Sequence, residues 1–385
     1  MSTDAPPRLR AWRWLHTWSS LACTLFLLML CLTGLPLIFH DEIDAWFDAP
    51  ASVPPARQAA APRDVDAMAA QVREQYPSRD IRFIVWLDEP HQYRFGLSPG
   101  APGQKPFALV DARGPVITGE AWSEKDWRHG GPMALLLRLH TDMLLGLPGS
   151  LILAVMGALL LVSLVSGVAL YGGFMRKTPF GTVRKRRSRL LRMLDLHNLL
   201  GMVLLVWLAV VGLSGAINTL DSFVFGAWRA HAASRQLAAP PPGPPVARPL
   251  QAAVDLARRT LPDRDVSFLA LPGSLFSSDG ACTVFMQGRT PLTRHLLQPV
   301  VVRIADGALL DADPPPWYMW LLEGSRPLHF GNYAGLPLKL IWALLDLAAI
   351  AVLVTGLYLY LPRRRRPGRP QPGETRRGAP AAPRS

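Results

Sequence analysis

The sequence predicts an α-helical membrane protein: a four-helix transmembrane bundle of two parallel repeats, with two small α+β domains outside the membrane. Three observations predict this fold class. Four apolar runs are each long enough to cross a bilayer, which takes about 20 residues. Basic residues collect beside those runs, and the same motifs recur in both halves of the 385-residue chain.

The four apolar runs contain a single acidic residue, Asp346. An ionisable side chain at that depth is a candidate functional residue, although it is also compatible with a simple polar contact inside a bundle. The runs are Leu21–Phe39, Leu151–Tyr171, Leu199–Leu220 and Leu338–Leu361.

Positive charge is concentrated at three places beside the runs. Arginines precede the first run, the loop "RKTPFGTVRKRRSRLLR" separates the second and third, and "RRRRPGRP" follows the fourth. By the positive-inside rule, both termini and this loop are cytoplasmic, and the two long segments are periplasmic in a bacterial inner membrane. The formal net charge of +13 therefore indicates contact with membrane lipid and gives no support to nucleic-acid binding.

These patterns divide the chain into nine segments. They are a cytoplasmic N-terminus (1–17), transmembrane helix 1 (18–40), a first periplasmic domain (41–135), a periplasmic helix plus transmembrane helix 2 (136–175), a basic cytoplasmic loop (176–193), transmembrane helix 3 (194–220), a second periplasmic domain (221–325) entered through a Pro-rich linker (238–249), transmembrane helix 4 (326–362), and a disordered basic cytoplasmic tail (363–385).

The repeat is clearest in "LHTDMLLGLP" from Leu139 and "LHFGNYAGLP" from Leu328. Each motif places a histidine just ahead of an apolar run. Both histidines are followed 27 residues later by a glycine, and His16 and His197 are each followed 18 residues later by a glycine. The outer segments repeat as well, in "YPSRDIRF" and "LPDRDVSF". Both halves begin on the same side, so a pseudo-two-fold axis would run along the membrane normal.

That axis pairs His16 with His197 and His140 with His329, each pair at one depth on opposite sides of the bundle. Two facing imidazoles suit a six-coordinate haem, and bundle cores are known sites for such cofactors. The sequence has no CxxCH motif, so two non-covalent b haems are expected. Haem propionates need cations, and each histidine has an arginine within five residues; these are Arg13, Arg192, Arg138 and Arg326. His40 is a substitute ligand candidate.

Other interpretations of the same residues remain open. A histidine at a membrane interface is usually a hydrated polar residue, and Ser/Thr-Gly in a membrane helix usually serves close packing. A transition metal bound by histidine with Asp142 or Asp195 is the main rival to haem. Each aspartate lies two residues from a histidine, however, and residues so spaced do not share a helix face.

Four stretches resemble the PepSY-associated transmembrane helix family: "RWLHTWSSLACTLFLLMLCLTGLPLIF", "LHTDMLLGLPG", "DLHNLLGMVLLVWLAVVGLSGAIN" and "LHFGNYAGLPLKLIWALLDLAAIAVLVTGLYLYL". The outer segments look like PepSY domains, and the resemblance covers nearly all of residues 10–362. It implies that the four repeat histidines are the haem ligands. It also implies an inner-membrane reductase that passes electrons through two b haems to ferric siderophores.

The expected function is therefore electron transfer from a quinol or a cytoplasmic flavin reductase to a periplasmic acceptor, with ferric siderophore iron as the leading choice. Two alternatives belong to other classes. One is a PepSY-based binding or regulatory membrane protein without redox activity, and the other is a permease for iron, haem or a chelate.

Overall fold

The fold consists of long apolar helices and a separate antiparallel sheet. The computed structural model describes residues 6–40, 42–43, 61–114, 117–123, 126, 128–129, 131–175, 179–184, 188–237, 243–244, 249–291, 293–331 and 333–364. Most of the predicted linker (238–249) and basic tail (363–385), and parts of the basic loop (176–193), lie outside these residues.

Three helices are long and apolar enough to cross a membrane: α1 (Pro7–Leu37), α4 (Leu147–Met175) and α10 (Gly335–Arg364). Helix α1 has proline at its first position, where the missing N–H removes no intrahelical hydrogen bond. Their apolar side chains are largely exposed on the protein surface, as expected for helices that face lipid.

The third apolar run, which is predicted as transmembrane helix 3 (194–220), is broken into two helices. It forms α5 (Arg189–Val203) and α6 (Leu205–Asn218), which meet at Leu204 with a bend of 64°. The Ser188 side chain caps α5 by accepting a hydrogen bond from the backbone of Leu191. Counted as one span, this bent pair gives a fourth apolar crossing.

The predicted fourth transmembrane helix (326–362) is likewise two helices. Helix α9 (Trp317–Phe330) ends at Gly331, whose φ of 67° is the left-handed conformation that terminates helices, and α10 then begins at Gly335. The second run has the same arrangement, with α3 (Gly131–Asp142) ahead of α4. The repeated "GLP" therefore has a structural reason, because Gly146 and Gly335 both have positive φ where the new helix begins.

The two outer segments form a single sheet of eight antiparallel strands, whereas the sequence predicts two separate domains. The strand order is β4-β3-β2-β1-β5-β6-β7-β8. The halves join where Phe83, Ile84 and Val85 of β1 pair with Ala270, Leu269 and Phe268 of β5. The strands are β1 (Ile81–Trp86), β2 (Gln92–Leu97), β3 (Phe107–Asp111), β4 (Ile117–Ala121), β5 (Arg264–Ala270), β6 (Ala281–Gly288), β7 (Gln298–Arg303) and β8 (Leu309–Asp311).

Each half of the sheet carries one amphipathic helix on the same face. These are α2 (Val65–Gln75) and α8 (Pro249–Thr260), which share one hydrophobic core with the sheet. The other face packs against α7 (Asp221–Leu237) and α9. Since α9 leads into α10, this second face is the one turned toward the apolar helices. The predicted turns at 111–114 and 305–307 do connect β3 to β4 and β7 to β8.

Candidate histidine pairs between the apolar helices

His16 on α1 and His197 on α5 face each other, with ring centroids 6.4 Å apart and ring planes at 67°. His16 Nδ1 lies 2.9 Å from the backbone oxygen of Ser163 and 3.3 Å from the Ser166 hydroxyl. We call these two residues the first histidine pair. Helix α1 packs along α4, which supplies both serines, so the ring is held by the neighbouring helix.

His197 is held in the same manner by α10. Its Nδ1 lies 3.1 Å from the backbone oxygen of Val352 and 3.3 Å from the Thr355 hydroxyl. A carbonyl oxygen can only accept, so Nδ1 donates the hydrogen and Nε2 keeps its lone pair. That tautomer presents Nε2 to a metal, and such outer hydrogen bonds commonly orient histidine ligands.

His140 on α3 and His329 on α9 form the second histidine pair, with ring centroids 6.0 Å apart and ring planes at 57°. His140 Nδ1 lies 3.0 Å from the Thr33 hydroxyl, and His329 Nδ1 lies 3.0 Å from the backbone oxygen of Val211. Both rings are therefore oriented through Nδ1, as the rings of the first pair are. Helix α9 packs against α6 and α3 packs against α1.

Every histidine of these pairs lies against a glycine of a neighbouring helix. A Cβ atom added to the glycine would approach the imidazole Cε1 to between 2.8 and 3.2 Å, closer than ordinary van der Waals contact. Alanine therefore does not fit at these positions without movement of a ring. The contacts are Gly34 with His140, Gly167 with His16, Gly215 with His329, and Gly356 with His197.

The spacing within each pair fits two imidazoles on one metal ion. A metal–imidazole nitrogen bond is about 2.0–2.1 Å and the ring centroid lies about 1 Å behind that nitrogen, so two opposed ligands have centroids roughly 6 Å apart. Among the described residues, no group of three or more His, Cys, Asp and Glu side chains is arranged to bind a metal. The donor set at each pair is thus two imidazoles, which suits a haem, since its macrocycle supplies the four equatorial nitrogens.

The two aspartates of the rival metal hypothesis are engaged elsewhere. Asp195 is buried and accepts two hydrogen bonds from the Arg184 side chain, at 2.9 and 2.7 Å, and one from the Arg184 backbone. Asp142 forms an ion pair with Arg138 at 3.2 Å and accepts from the backbone of Leu144. Both carboxylates therefore stabilise local structure beside the histidines.

The four candidate arginines have different surroundings. Arg13 and Arg192 are exposed. Arg326 lies 3.8 Å from Glu323 and 3.9 Å from Asp221. Arg138 pairs with Asp142 through its terminal nitrogen, while its buried Nε has no hydrogen-bond partner among the described residues.

His40 is exposed near the end of α1, and the second pair forms without it.

The fold does add a polar group that the sequence analysis missed. Asn218 Nδ2 is buried and has no hydrogen-bond partner within the described residues. The Ser325 hydroxyl donates a hydrogen bond to Oδ1 of the same amide. Unpaired donors such as Arg138 Nε and Asn218 Nδ2 suit an anionic group beside the second pair. No sequence pattern distinguishes Asn218 from an ordinary polar residue at a helix end.

The sequence analysis also missed two tryptophans. The rings of Trp207 on α6 and Trp342 on α10 lie 6.4 Å apart in an edge-to-face arrangement, and both indole N–H groups are buried without a partner in the described part of the chain. Trp207 follows His197 and precedes Val211, so the tryptophans lie between the two histidine pairs along α5 and α6. Nearby, Asp346 is buried with one carboxylate oxygen unpaired.

Comparison with known proteins gives a relative and a family for this chain. The chain is 32% identical over 254 residues to the uncharacterized protein PA4219 of Pseudomonas aeruginosa. That alignment covers 60% of this chain and 63% of the relative, so the chain spans less than two thirds of the relative's length. A protein family described as the PepSY-associated TM region matches residues 13–363. The chain with its two histidine pairs therefore belongs to the PepSY-associated transmembrane region family.

Proposed function

We propose that this protein is a di-haem b electron-transfer protein, and that it delivers electrons across a membrane to ferric siderophore iron. The observation that carries the proposal is the presence of two imidazole pairs with centroids 6.4 and 6.0 Å apart. All four Nδ1 atoms are hydrogen-bonded, which leaves four Nε2 atoms available for binding iron.

The proposed frame is a four-helix bundle of two parallel repeats, in which the α5–α6 pair counts as one crossing. Two sets of contacts support the repeat. The backbone oxygens of Ser163 on α4 and Val352 on α10 accept hydrogen bonds from the imidazoles of the first pair. Each of these residues is followed four positions later by the glycine that contacts the same imidazole. A hydroxyl residue precedes each of those glycines, and each hydroxyl lies near the same imidazole nitrogen as the carbonyl.

We place the protein in the bacterial inner membrane with both termini in the cytoplasm, because the basic loop and tail follow the positive-inside rule. In this orientation the first pair lies toward the cytoplasm. The second pair and the eight-stranded sheet lie toward the periplasm. Lipid surrounds the exposed apolar side chains of α1, α4 and α10.

Each residue of the site has a distinct role in this proposal. The carbonyl and hydroxyl acceptors fix the tautomer and the orientation of the imidazoles, and the glycines admit the rings between helices. Arg138 and Asn218 would supply hydrogen-bond donors for the haem propionates beside the second pair. When bound between the histidines, haem b supplies reversible one-electron chemistry, and the protein determines its position, potential and access.

The electron donor in this scheme is a quinol or a cytoplasmic flavin reductase, and the acceptor is a ferric siderophore on the sheet side. Siderophore chelators present hard oxygen ligands, which hold Fe(III) far more tightly than the softer, less charged Fe(II). Reduction would therefore release the metal for uptake.

An absorption spectrum of the purified protein tests the haem part of the proposal. We expect a Soret band and, after dithionite, reduced α-bands that correspond to two b haems per chain. Protein that is colourless after expression in haem-replete cells would instead favour the non-redox PepSY binding protein. For the acceptor, chemically reduced protein in liposomes should convert a ferric siderophore to Fe(II), measured with a ferrous chelator, and the His329→Ala variant should not.

A further inference from the structure

An aromatic cavity lies between the sheet and α9, and none of the four histidines lines it. Its volume is about 200 Å³, and apolar side chains from β1, β5, β6 and α7 form most of its wall. Ligand pockets in proteins are usually apolar with a few well-placed polar groups. The apolar lining consists of Phe83, Val85, Phe225, Phe268, Phe276, Phe285 and Leu297.

Two polar side chains complete the wall, and both come from α9. Glu323 is only 4% exposed, and no hydrogen bond to its carboxyl group is formed within the described residues. Arg326, one turn along, lies 3.8 Å from that carboxyl and over the ring of Phe225 at 5.7 Å. A buried carboxyl group normally makes hydrogen bonds, and the ion pair with Arg326 at 3.8 Å is longer than a hydrogen bond.

Glu323 is not part of the frame shared by the two halves. Counting back six residues from the histidine gives Glu323 on α9 and Ala134 on α3, and Ala134 is buried there without a polar group. Packing at this position therefore does not need a carboxyl group. Burial raises the pKa of Glu323 to about 7, so the group both donates and accepts hydrogen bonds near neutral pH.

We propose that this cavity binds a hydroxylated aromatic ring, as found in catecholate and phenolate chelators and in quinols. The phenylalanine walls match a flat ring, and aromatic pairs favour the edge-to-face and offset contacts that such a wall offers. A ring hydroxyl would then bond to Glu323, and Arg326 would donate to a ring oxygen. An organic cation also favours an aromatic cage, but the Arg326 guanidinium opposes it.

The cavity is close to the second histidine pair along one helix. Glu323 and Arg326 precede His329 by six and three residues, which corresponds to roughly 9 and 4.5 Å along the helix axis. A ring bound there would therefore lie one to two helical turns along α9 from His329. The use of the site for electron exchange rests on the proposed function, whereas binding of the ring does not.

Isothermal titration calorimetry on the full-length detergent-solubilised protein tests the proposal, with catechol as the first probe. We expect saturable binding that becomes about tenfold weaker in Glu323→Leu, because a buried hydrogen bond is lost. Phe276→Ala should weaken binding as well, which keeps the test valid should the first variant fold poorly. Leu321→Ala, exposed on the same helix, is the matched control and should bind catechol like the unmodified protein.

Separate titrations with ferric 2,3-dihydroxybenzoate and with ubiquinol-1 distinguish a chelator from a quinol as the source of the ring. The double variant His140→Ala/His329→Ala should still bind catechol, so a failure of haem binding would not be mistaken for a failure of this site. Three outcomes would each overturn the proposal. They are absence of catechol binding, binding by both Glu323→Leu and Phe276→Ala that is as tight as that of the unmodified protein, and preferential binding of choline.

Discussion

His16 and His197 lie with ring centroids 6.4 Å apart, on helices that begin the two halves of the chain. Each ring is fixed by a third helix through Nδ1, so neither imidazole needs the other for its own hydrogen bonding. Two neutral imidazoles gain little from direct contact in this geometry. We propose that a shared ligand accounts for their juxtaposition, and the following outcomes test this proposal.

Replacing either member of the first pair should remove the same haem. His16→Ala and His197→Ala should each lower the Soret absorbance per chain by about half, because one of two axial ligands is lost from one iron. The reduced α-band that disappears should be identical in the two variants, as measured by low-temperature difference spectroscopy. His129→Ala is a suitable control, since this ring stacks on Trp122 in the outer domain. Loss of different α-bands in the two variants would contradict the pairing.

The glycines beside the rings predict a graded steric effect. A Cβ at Gly215 would lie 2.8 Å from His329 Cε1, whereas a Cβ at Gly356 would lie 3.2 Å from His197 Cε1. Gly215→Ala must therefore displace its ring, and it should broaden or abolish the signal of the second haem. Gly356→Ala should change the first haem less.

Electron paramagnetic resonance of the oxidised protein measures both effects, because the g-values report the orientation of the axial imidazoles. Gly172→Ala is the matched control, since nothing lies within 4 Å of a Cβ at that position. The steric interpretation is wrong if Gly172→Ala and Gly215→Ala perturb the spectrum equally.

The histidine pairing could be anticipated because it depends on repeat spacing, which is visible in one sequence. The glycines could be located in the same manner. The break at Leu204 could not, since no proline or charge interrupts the apolar run there. The unpaired amide of Asn218 also depends on which helices pack together, and a single sequence does not give that packing.

Thr33 should position His140 rather than bind iron itself. Its hydroxyl lies 3.0 Å from His140 Nδ1 and donates to the backbone of Met29 at 2.8 Å, so it accepts the imidazole hydrogen. Thr33→Val keeps the shape and removes that acceptor. We expect the second haem to be retained about tenfold less tightly. Its potential should shift to a more positive value, because a less polarised imidazole stabilises ferric iron less.

Redox titration followed at the α-bands checks the shift, and haem transfer to apomyoglobin checks retention. Thr33→Ser restores the acceptor and should restore both properties. An unchanged potential in Thr33→Val, with the first haem also unchanged, would show that the hydroxyl has no influence on the ring.

The junction between β1 and β5 shows where local patterns stop being informative. The outer motifs correctly indicate two similar α+β units, each with a helix and a set of strands. Edge strands expose unpaired backbone groups, and two such edges satisfy each other by pairing. That pairing merges the units into one sheet and brings Phe83 and Val85 of the first half beside Phe268 and Phe285 of the second. The aromatic cavity is a consequence of this junction and has no signature in either half alone.

The buried carboxyl group of Glu323 should make the stability of the protein depend on pH. Its pKa is raised by burial to about 7, and the nearby Arg326, itself close to Asp221, only partly offsets that effect. The folded state thus holds a proton that the unfolded state releases near the ordinary pKa of 4.5. Stability from this group should therefore be complete below about pH 4.5 and should decrease as the pH rises toward 7.

Glu323→Gln removes the titration while keeping the size of the side chain, so its thermal midpoint should exceed that of the unmodified protein at pH 8 and approach it at pH 5. The upper bound of the gain at pH 8 is roughly 3 kcal/mol, from about 1.4 kcal/mol per pKa unit. Thermal denaturation in detergent at both pH values measures the difference. Because all other ionisable groups are the same in both proteins, their contribution cancels in the comparison. Glu74→Gln, exposed on α2, should show no such pH-dependent difference. If Glu323→Gln is equally or less stable than the unmodified protein at pH 8, then Arg326 and the other surroundings stabilise the carboxylate, and burial does not dominate its pKa.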